Sequence, residues 1–109
     1  MGMVAKRFDV YQVNVDPKLS EEVKKTRPCV VISPDETNRF IDTVIVAPMI
    51  SKGYRYPTRI PCQFDGKNCQ IVLEQIRTVD KVRLVKKMGR LPRPTQKAIF
   101  ATLSEMFAE

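Results

Sequence analysis

The residues best placed to do chemistry are polar groups at the ends of strand-like runs. They are Arg27 ahead of Pro28, Ser51 and Lys52 behind a long apolar stretch, Glu74 and Gln75 late in another, and Arg77 just beyond. An arginine is always charged and offers a planar fork of donors matched to phosphate, so Arg27 suits an electrostatic clamp and makes a poor base. Glu74 suits the base role better. A carboxyl with an ordinary pKa of about 4.3 is a weak base at neutral pH, so Glu74 in that role is expected to be raised by burial against the β-rich core. The chain has no histidine, which excludes a Cys/His zinc site, a Ser/His triad and a histidine general base. Neither a phosphate-loop nor a GxGxxG glycine motif occurs, and the carboxylates lack EF-hand or HExxH spacing, so neither cofactor nor metal is expected. Cys29, Cys62 and Cys69 form no CxxC pair and read as small buried hydrophobes in a reduced, cytoplasmic setting.

A small scaffold must hold these groups. The 109 residues match one modal domain, so a single domain over 1–109 is expected, with residues 1–6 read as disordered or added by cloning. Lys plus Arg at 19 against Asp plus Glu at 12 leaves +7, a balance that suits nucleic acid, an anionic membrane surface or plain solubility. A hydrophobic content of 43% marks a folded chain rather than a disordered tail. No apolar run approaches the roughly 18 residues that would span a bilayer, and the first residues lack a signal-peptide core, so neither membrane insertion nor secretion is expected.

Valine-rich and aromatic runs predict strands over residues 8–15, 29–33, 41–49, 58–64 and 69–76. Asp16-Pro17 ends the first, and residues 16–27 read as a long charged loop. PDETNRF at 34–40 reads as a turn, and Asp65-Gly66 as a hairpin turn. Residues 81–91 predict a short helical turn and a last strand. Ala98, Ile99, Leu103, Met106 and Phe107 recur at helical spacing behind Pro94, predicting an amphipathic helix over 94–107. Short strands without intervening helices disfavour a parallel α/β fold; the expectation is mostly β, a small curled antiparallel sheet or partly open barrel with a C-terminal helix packed on it.

DVYQVNVDP followed by Glu22, Thr26-Arg27-Pro28 opening CVVIS, VAPM and SKG, and LEQIRTVD occur in that order from about Phe8 to Leu84. Together they resemble the MazF/PemK family of toxin endoribonucleases, the mRNA interferases of toxin–antitoxin systems. The resemblance implies an SH3-like barrel of the CcdB/PemK kind, a homodimer, a cognate acidic antitoxin, and metal-independent, sequence-specific cutting of single-stranded RNA. Arg27 matches the arginine of the family's RP motif, implicated in stabilising the scissile phosphate or donating a proton. Glu74 matches an acidic position implicated as general base. The family's usual threonine after its VP or AP motif is Ile50 here, with Ser51 next, so either Ser51 takes over that role or catalysis is weakened. Glu22 matches the acidic end of a family loop. The RNA-binding set is completed by Lys24, Lys25, Lys52, Tyr54, Arg55, Tyr56, Gln75 and Arg77, in which rings stack on bases and cations meet phosphates.

Such chemistry needs no metal or histidine, because RNA can be cleaved by its own 2′-hydroxyl given a base, an acid and positive charge around the phosphate. Without the resemblance, Arg27 reads more readily as a surface residue or a salt-bridge partner than as a catalytic group, Ser51 reads as a turn residue, and Glu74-Gln75 as the solvated face of a strand. Two other functional readings stand beside the nuclease. One is a non-enzymatic toxin like the CcdB gyrase poisons; the other is a relative that binds RNA with catalysis weakened by Ile50. Ile50→Thr separates the last from an active nuclease: a large gain in cleavage rate would mark the native protein as weakened, and an unchanged rate would show that the departure is tolerated.

Overall fold

The computed structural model describes residues 4–15 and 25–109. Strand β1 (Asp9–Asn14) pairs antiparallel with β2 (Thr26–Val31), which in turn pairs with β3 (Thr43–Ile50). Next come β4 (Arg59–Phe64), β5 (Lys67–Val72), β6 (Arg77–Asp80) and β7 (Leu84–Arg90). The order across the sheet is β4-β5-β3-β2-β1-β7, with β6 pairing β3 off this path. Every described pairing is antiparallel. The mostly β expectation therefore holds, with the curled sheet closed at one end by helix α2 (Arg93–Met106).

Two-residue periodicity splits the apolar residues between two clusters. Val10, Val30, Ala47, Ile60, Ile71 and Leu73 form the inner one, into which α2 inserts Ile99. Tyr11, Val13, Cys29, Val31, Val46 and Val79 form a second on the opposite face, joined by Ala5. Ala5 is 1% exposed, and the Lys6 amide donates to Asp9 Oδ2 at 3.0 Å. Residues 4–6 are thus part of the fold, since burying Ala5 completes the second cluster. Asp9 is buried against β7, where Arg90 and Lys87 approach its carboxylate at 3.2 and 3.6 Å.

Several boundaries differ from expectation for local reasons. Residues 34–40 contain a short helix, α1 (Asp35–Phe40), with Asp35 and Glu36 in its first turn and Arg39 in its last, each favourable to the helix dipole. Its Asn38 is buried and exchanges hydrogen bonds with Ser33, accepting from Ser33 Oγ at 2.6 Å and donating to the Ser33 carbonyl at 2.9 Å. The run predicted as one strand over 69–76 breaks at Val72, because a single 3₁₀ turn (Leu73–Gln75) buries Leu73 and redirects the chain into β6. Strand β2 begins at Thr26, so Arg27 is a ladder residue opposite Val13 rather than the end of a loop. The β4–β5 turn has φ values of 53° at Asp65 and 74° at Gly66, the left-handed pair that an Asp-Gly turn supplies.

Helix α2 follows Pro92 and carries Pro94 in its first turn. Phe100 meets Phe8 edge to face at 5.1 Å, and Gln96 Nε2 donates to the Leu91 carbonyl at 2.8 Å. Ile99 is fully buried, so Ile99→Ala removes apolar volume where the sheet cannot collapse. A loss of about 2–5 kcal/mol is expected. Val82→Ala, at a side chain 90% exposed, is expected to stay within about 0.5 kcal/mol; denaturant unfolding of both variants checks the contrast.

Candidate functional site

Two cavities open where β2 begins. The larger, about 630 Å³, has Gln12, Ser51, Lys52 and Asn68 among its lining; the smaller, about 420 Å³, has Val13, Cys29, Gln75 and Arg77. Lys25, Arg27, Met49 and Ile50 line both. Arg27 therefore stands on the shared wall, placed there by its ladder position opposite Val13. Arg77 opens β6 opposite Val46, so β3 separates the two arginines.

The electrostatics of the smaller cavity show in Cys29. Burial pushes its thiol up to about 11, while the guanidiniums of Arg77 and Arg27 act in the opposite sense. Both cations thus bear on the same buried sulfur. Among the described residues, no carboxylate lines this cavity. Two guanidiniums over an apolar floor of Val13, Val46 and Val79 form a site for an anion, because a poorly hydrated wall strengthens their pull on it. Arg presents paired donors to phosphate oxygens in a way that Lys does not.

Of the residues singled out from sequence, Lys25, Arg27, Ser51, Lys52, Gln75 and Arg77 come together around these cavities. Glu74, Tyr54, Arg55 and Tyr56 line neither. Glu22 and Lys24 lie outside the described residues. Glu74 instead anchors a second cluster, accepting from Arg59 Nη2 at 2.7 Å, Arg59 Nε at 3.0 Å and Thr58 Oγ1 at 2.8 Å. Arg59 also donates to the Tyr54 carbonyl at 3.1 Å and stacks over the Tyr56 ring at 4.7 Å. Arg55 is exposed in the same 51–58 connection.

The expectation that burial raises Glu74 is corrected by this pairing. The hydrogen-bonded Arg59 guanidinium holds the carboxyl below its ordinary range, and this outweighs the opposing effect of burial. A carboxylate held ionised and occupied by three donors is a weaker base than an isolated one. Glu74 is built to fasten the 51–58 connection to β4.

Sequence reasoning also passed over Gln12, Lys67 and Asn68, all of which line the larger cavity. Gln12 was legible in principle: it is the polar residue between Tyr11 and Val13 in a run read as a strand, and such a residue either faces solvent or is buried for a reason. Asn68 follows the hairpin turn, and nothing in local sequence announces that the turn folds over the cavity mouth. Among the described residues, no cluster of three or more His, Cys, Asp or Glu side chains could hold a metal ion, and no helix is long and apolar enough to cross a membrane.

The structure is thus a curled antiparallel sheet closed at one end by a terminal helix, with arginines and lysines lining two cavities where β2 begins. Residues 6–107 match the family described as PemK-like, MazF-like toxin of type II toxin-antitoxin system, and the chain belongs to that family. It is 37% identical over 95 residues to Endoribonuclease EndoA of Bacillus subtilis, covering 82% of each chain. It is 36% identical over 101 residues to Endoribonuclease MazF of Staphylococcus saprophyticus, covering 86% of this chain and 83% of the relative. The fold matches MazF of Deinococcus radiodurans with a TM-score of 0.80 at 18% identity, over 99% of this chain and 100% of that one. A mycobacterial endoribonuclease in complex with its cognate antitoxin matches at 0.78 and 18%, over 92% and 91%.

The Glu74 pairing predicts a pH signature in stability. A folded-state carboxyl below its unfolded value contributes stability that is complete above the ordinary pKa of 4.5 and is lost as pH falls through the lowered folded value. Thermal melts from pH 7 down to pH 3 should therefore show a smaller acid-induced loss in Glu74→Gln than in the native protein. Parallel curves would refute the linkage.

Proposed function

We propose that the chain is the toxin of a type II toxin–antitoxin pair and a metal-independent, sequence-specific endoribonuclease acting on single-stranded RNA. The observation that carries this reading is the placement of Arg27 and Arg77 over Cys29 in a cavity whose described lining has no carboxylate. Family membership and the endoribonuclease names of the relatives support the activity over a non-enzymatic toxin.

In this reading the 2′-hydroxyl oxygen attacks the adjacent phosphorus and gives up its proton to solvent water, while the bond from phosphorus to the 5′-oxygen breaks and that oxygen takes a proton back. The products are a 2′,3′-cyclic phosphate and a 5′-hydroxyl. Negative charge grows on the non-bridging oxygens as the attack proceeds, and Arg27, on the wall shared by the two cavities, is the clamp that stabilises it. Arg77 adds a second positive group from across β3. Ser51 at the rim of the larger cavity supplies a hydroxyl for the phosphate or the departing oxygen, the role open to it because Ile50 has none. Lys25, Lys52 and Gln75 bind the flanking backbone, while Tyr54, Arg55 and Tyr56 lie on an outer path where bases stack. Glu74 holds that path in place through Arg59 rather than taking the proton.

The same basic surface suits the acidic, disordered tail of a cognate antitoxin, which would compete with RNA for the arginines. Relatives of this fold are seen in complex with an antitoxin. A homodimer and a cytoplasmic location complete the proposal. Incubation with a long unstructured RNA in excess EDTA tests it. Discrete cuts leaving cyclic phosphate and 5′-hydroxyl ends are expected. Arg27→Ala should lower the rate by about a hundredfold to a thousandfold without lowering Tm, since it removes charge and no core volume. Unchanged turnover in that variant would overturn the clamp; RNA binding without cutting by the native protein would point to a weakened relative.

A further inference from the structure

Gln12 sits where the fold gives a polar residue no structural reason to be. On β1 it shares its inward direction with Val10, a core residue, and it is opposite Pro28, the neighbour of Arg27. Proline has no backbone N–H to offer it. Its Oε1 is buried and, among the described residues, has no hydrogen-bond partner. Buried amides are ordinarily satisfied, because an unpaired polar atom forfeits its hydration without replacement. The β1–β7 ladder also slips in register on both sides of Gln12, between Val10 and Tyr11 and between Gln12 and Val13. The slip leaves Met88 unpaired between Lys87 and Gly89, and Met88 lines the larger cavity with Gln12. Bulges of this kind re-aim side chains beside functional sites.

The larger cavity has the chemistry of a nucleobase pocket. Met49, Phe64 and Met88 supply apolar walls for a ring face, and Lys52 and Lys67 stand ready for the backbone phosphates. Its volume of about 630 Å³ lies within the usual range for sites that bury a small ligand. Arg27 joins it to the anion site, so a base seated here belongs to a nucleotide next to the clamped phosphate.

We propose that Gln12 is a specificity-determining residue that reads this base through its side-chain amide. The inference rests on the nuclease reading above. Rotation about the last side-chain bond brings either end of the amide to the cavity, and a base edge carrying a donor beside an acceptor satisfies both ends together. Along the purine edge that carries N7, which is the edge assigned to Gln12 here, adenine with its N6 amine beside N7 is the base that a glutamine amide pairs with in this bidentate way. Guanine offers two acceptors on the equivalent edge and leaves the amide oxygen unpaired.

Sequencing the cut ends from a long unstructured RNA of mixed sequence tests the proposal with the native protein, Gln12→Leu and Gln12→Glu. The native protein is expected to cut motifs with adenine fixed at one position beside the cleaved bond. Gln12→Leu should still cut but lose preference at that position alone, by roughly tenfold to a hundredfold, while the other positions keep theirs. Gln12→Glu, which accepts but does not donate when ionised, should lose the same preference. Gln12→Met replaces Leu if thermal melts show that Leu unfolds the protein. An unchanged motif in folded variants, or a native motif without adenine at that position, would overturn the assignment while leaving the nuclease intact. No cutting by the native protein would remove both readings.

Discussion

Strand β3 is paired along both edges, and the positions of the charged groups follow from that double pairing. On one edge Val46, Ala47 and Pro48 face Val31, Val30 and Cys29 of β2; on the other Thr43 to Val46 face β6, and Met49 and Ile50 face β5. Val46 is thus bracketed by Val31 and Arg77. Two residues further along β2 than Cys29, the ladder presents Arg27. The separation of the two Cα positions is therefore set by backbone hydrogen bonds and the spacing of strands, at about 4.8 Å per step across a sheet. Ladder residues of a paired sheet have their backbones held in place before any ligand arrives, and such preorganisation is the condition for electrostatic stabilisation to help a reaction.

Placing like charges together costs stability, and the fold keeps the cost local. The arginines lie at the entrance of the second apolar cluster, where β1, β2 and β6 expose their last rows, rather than inside it. Val13, Val46 and Val79 beneath them are 0, 1 and 3% exposed, so the sheet retains its packing right up to the charged row. Elsewhere the same protein neutralises charge carefully: Asp9 is buried with Arg90 and Lys87 beside it, and Arg59 is saturated by Glu74. The Arg27 and Arg77 pair differs, since both are exposed and, among the described residues, no carboxylate lines the smaller cavity that they share.

The elements were legible because period-two runs bounded by Asp-Pro and Asp-Gly turns admit few other structures, and Arg27, Lys52, Gln75 and Arg77 could be placed at strand ends from that pattern alone. What sequence could not show was which strand ends meet. Glu74 and Gln75 are adjacent in the chain, yet the 3₁₀ turn sends Gln75 to the smaller cavity and Glu74 to Arg59. A strand reading would also have put them on opposite faces, but it gave no way to know that Arg59, fifteen residues earlier, waits for the carboxylate. Gln12 shows a related limit: its polar type within a strand run is visible in the sequence, but its lack of a hydrogen-bond partner is visible only in the structure. Residues 34–40, rich in turn formers, contain a helix that is tied down by the buried Asn38 side chain, which accepts from Ser33 Oγ and donates to the Ser33 carbonyl.

Ile50 illustrates how the loop and the cavities constrain each other. Its side chain lines both cavities, and it pairs with Gln70 of β5, whose Nε2 donates to the Gly53 carbonyl at 3.0 Å. A Cβ placed on Gly53 would come within 2.9 Å of Ile50 Cδ1, so the loop backbone lies close to the tip of the isoleucine side chain. The φ of 149° at Gly53 fits the same close approach. Ile50 is therefore a packing residue for the 51–58 connection, reinforced from the other end by Glu74, Arg59 and the Tyr54 carbonyl. A threonine there would bring a hydroxyl to the anion site but remove the methyl that Gly53 rests on. The departure from the family pattern thus exchanges a donor at position 50 for a more firmly seated loop, and the loop is what carries Ser51 to the rim where a hydroxyl is still available.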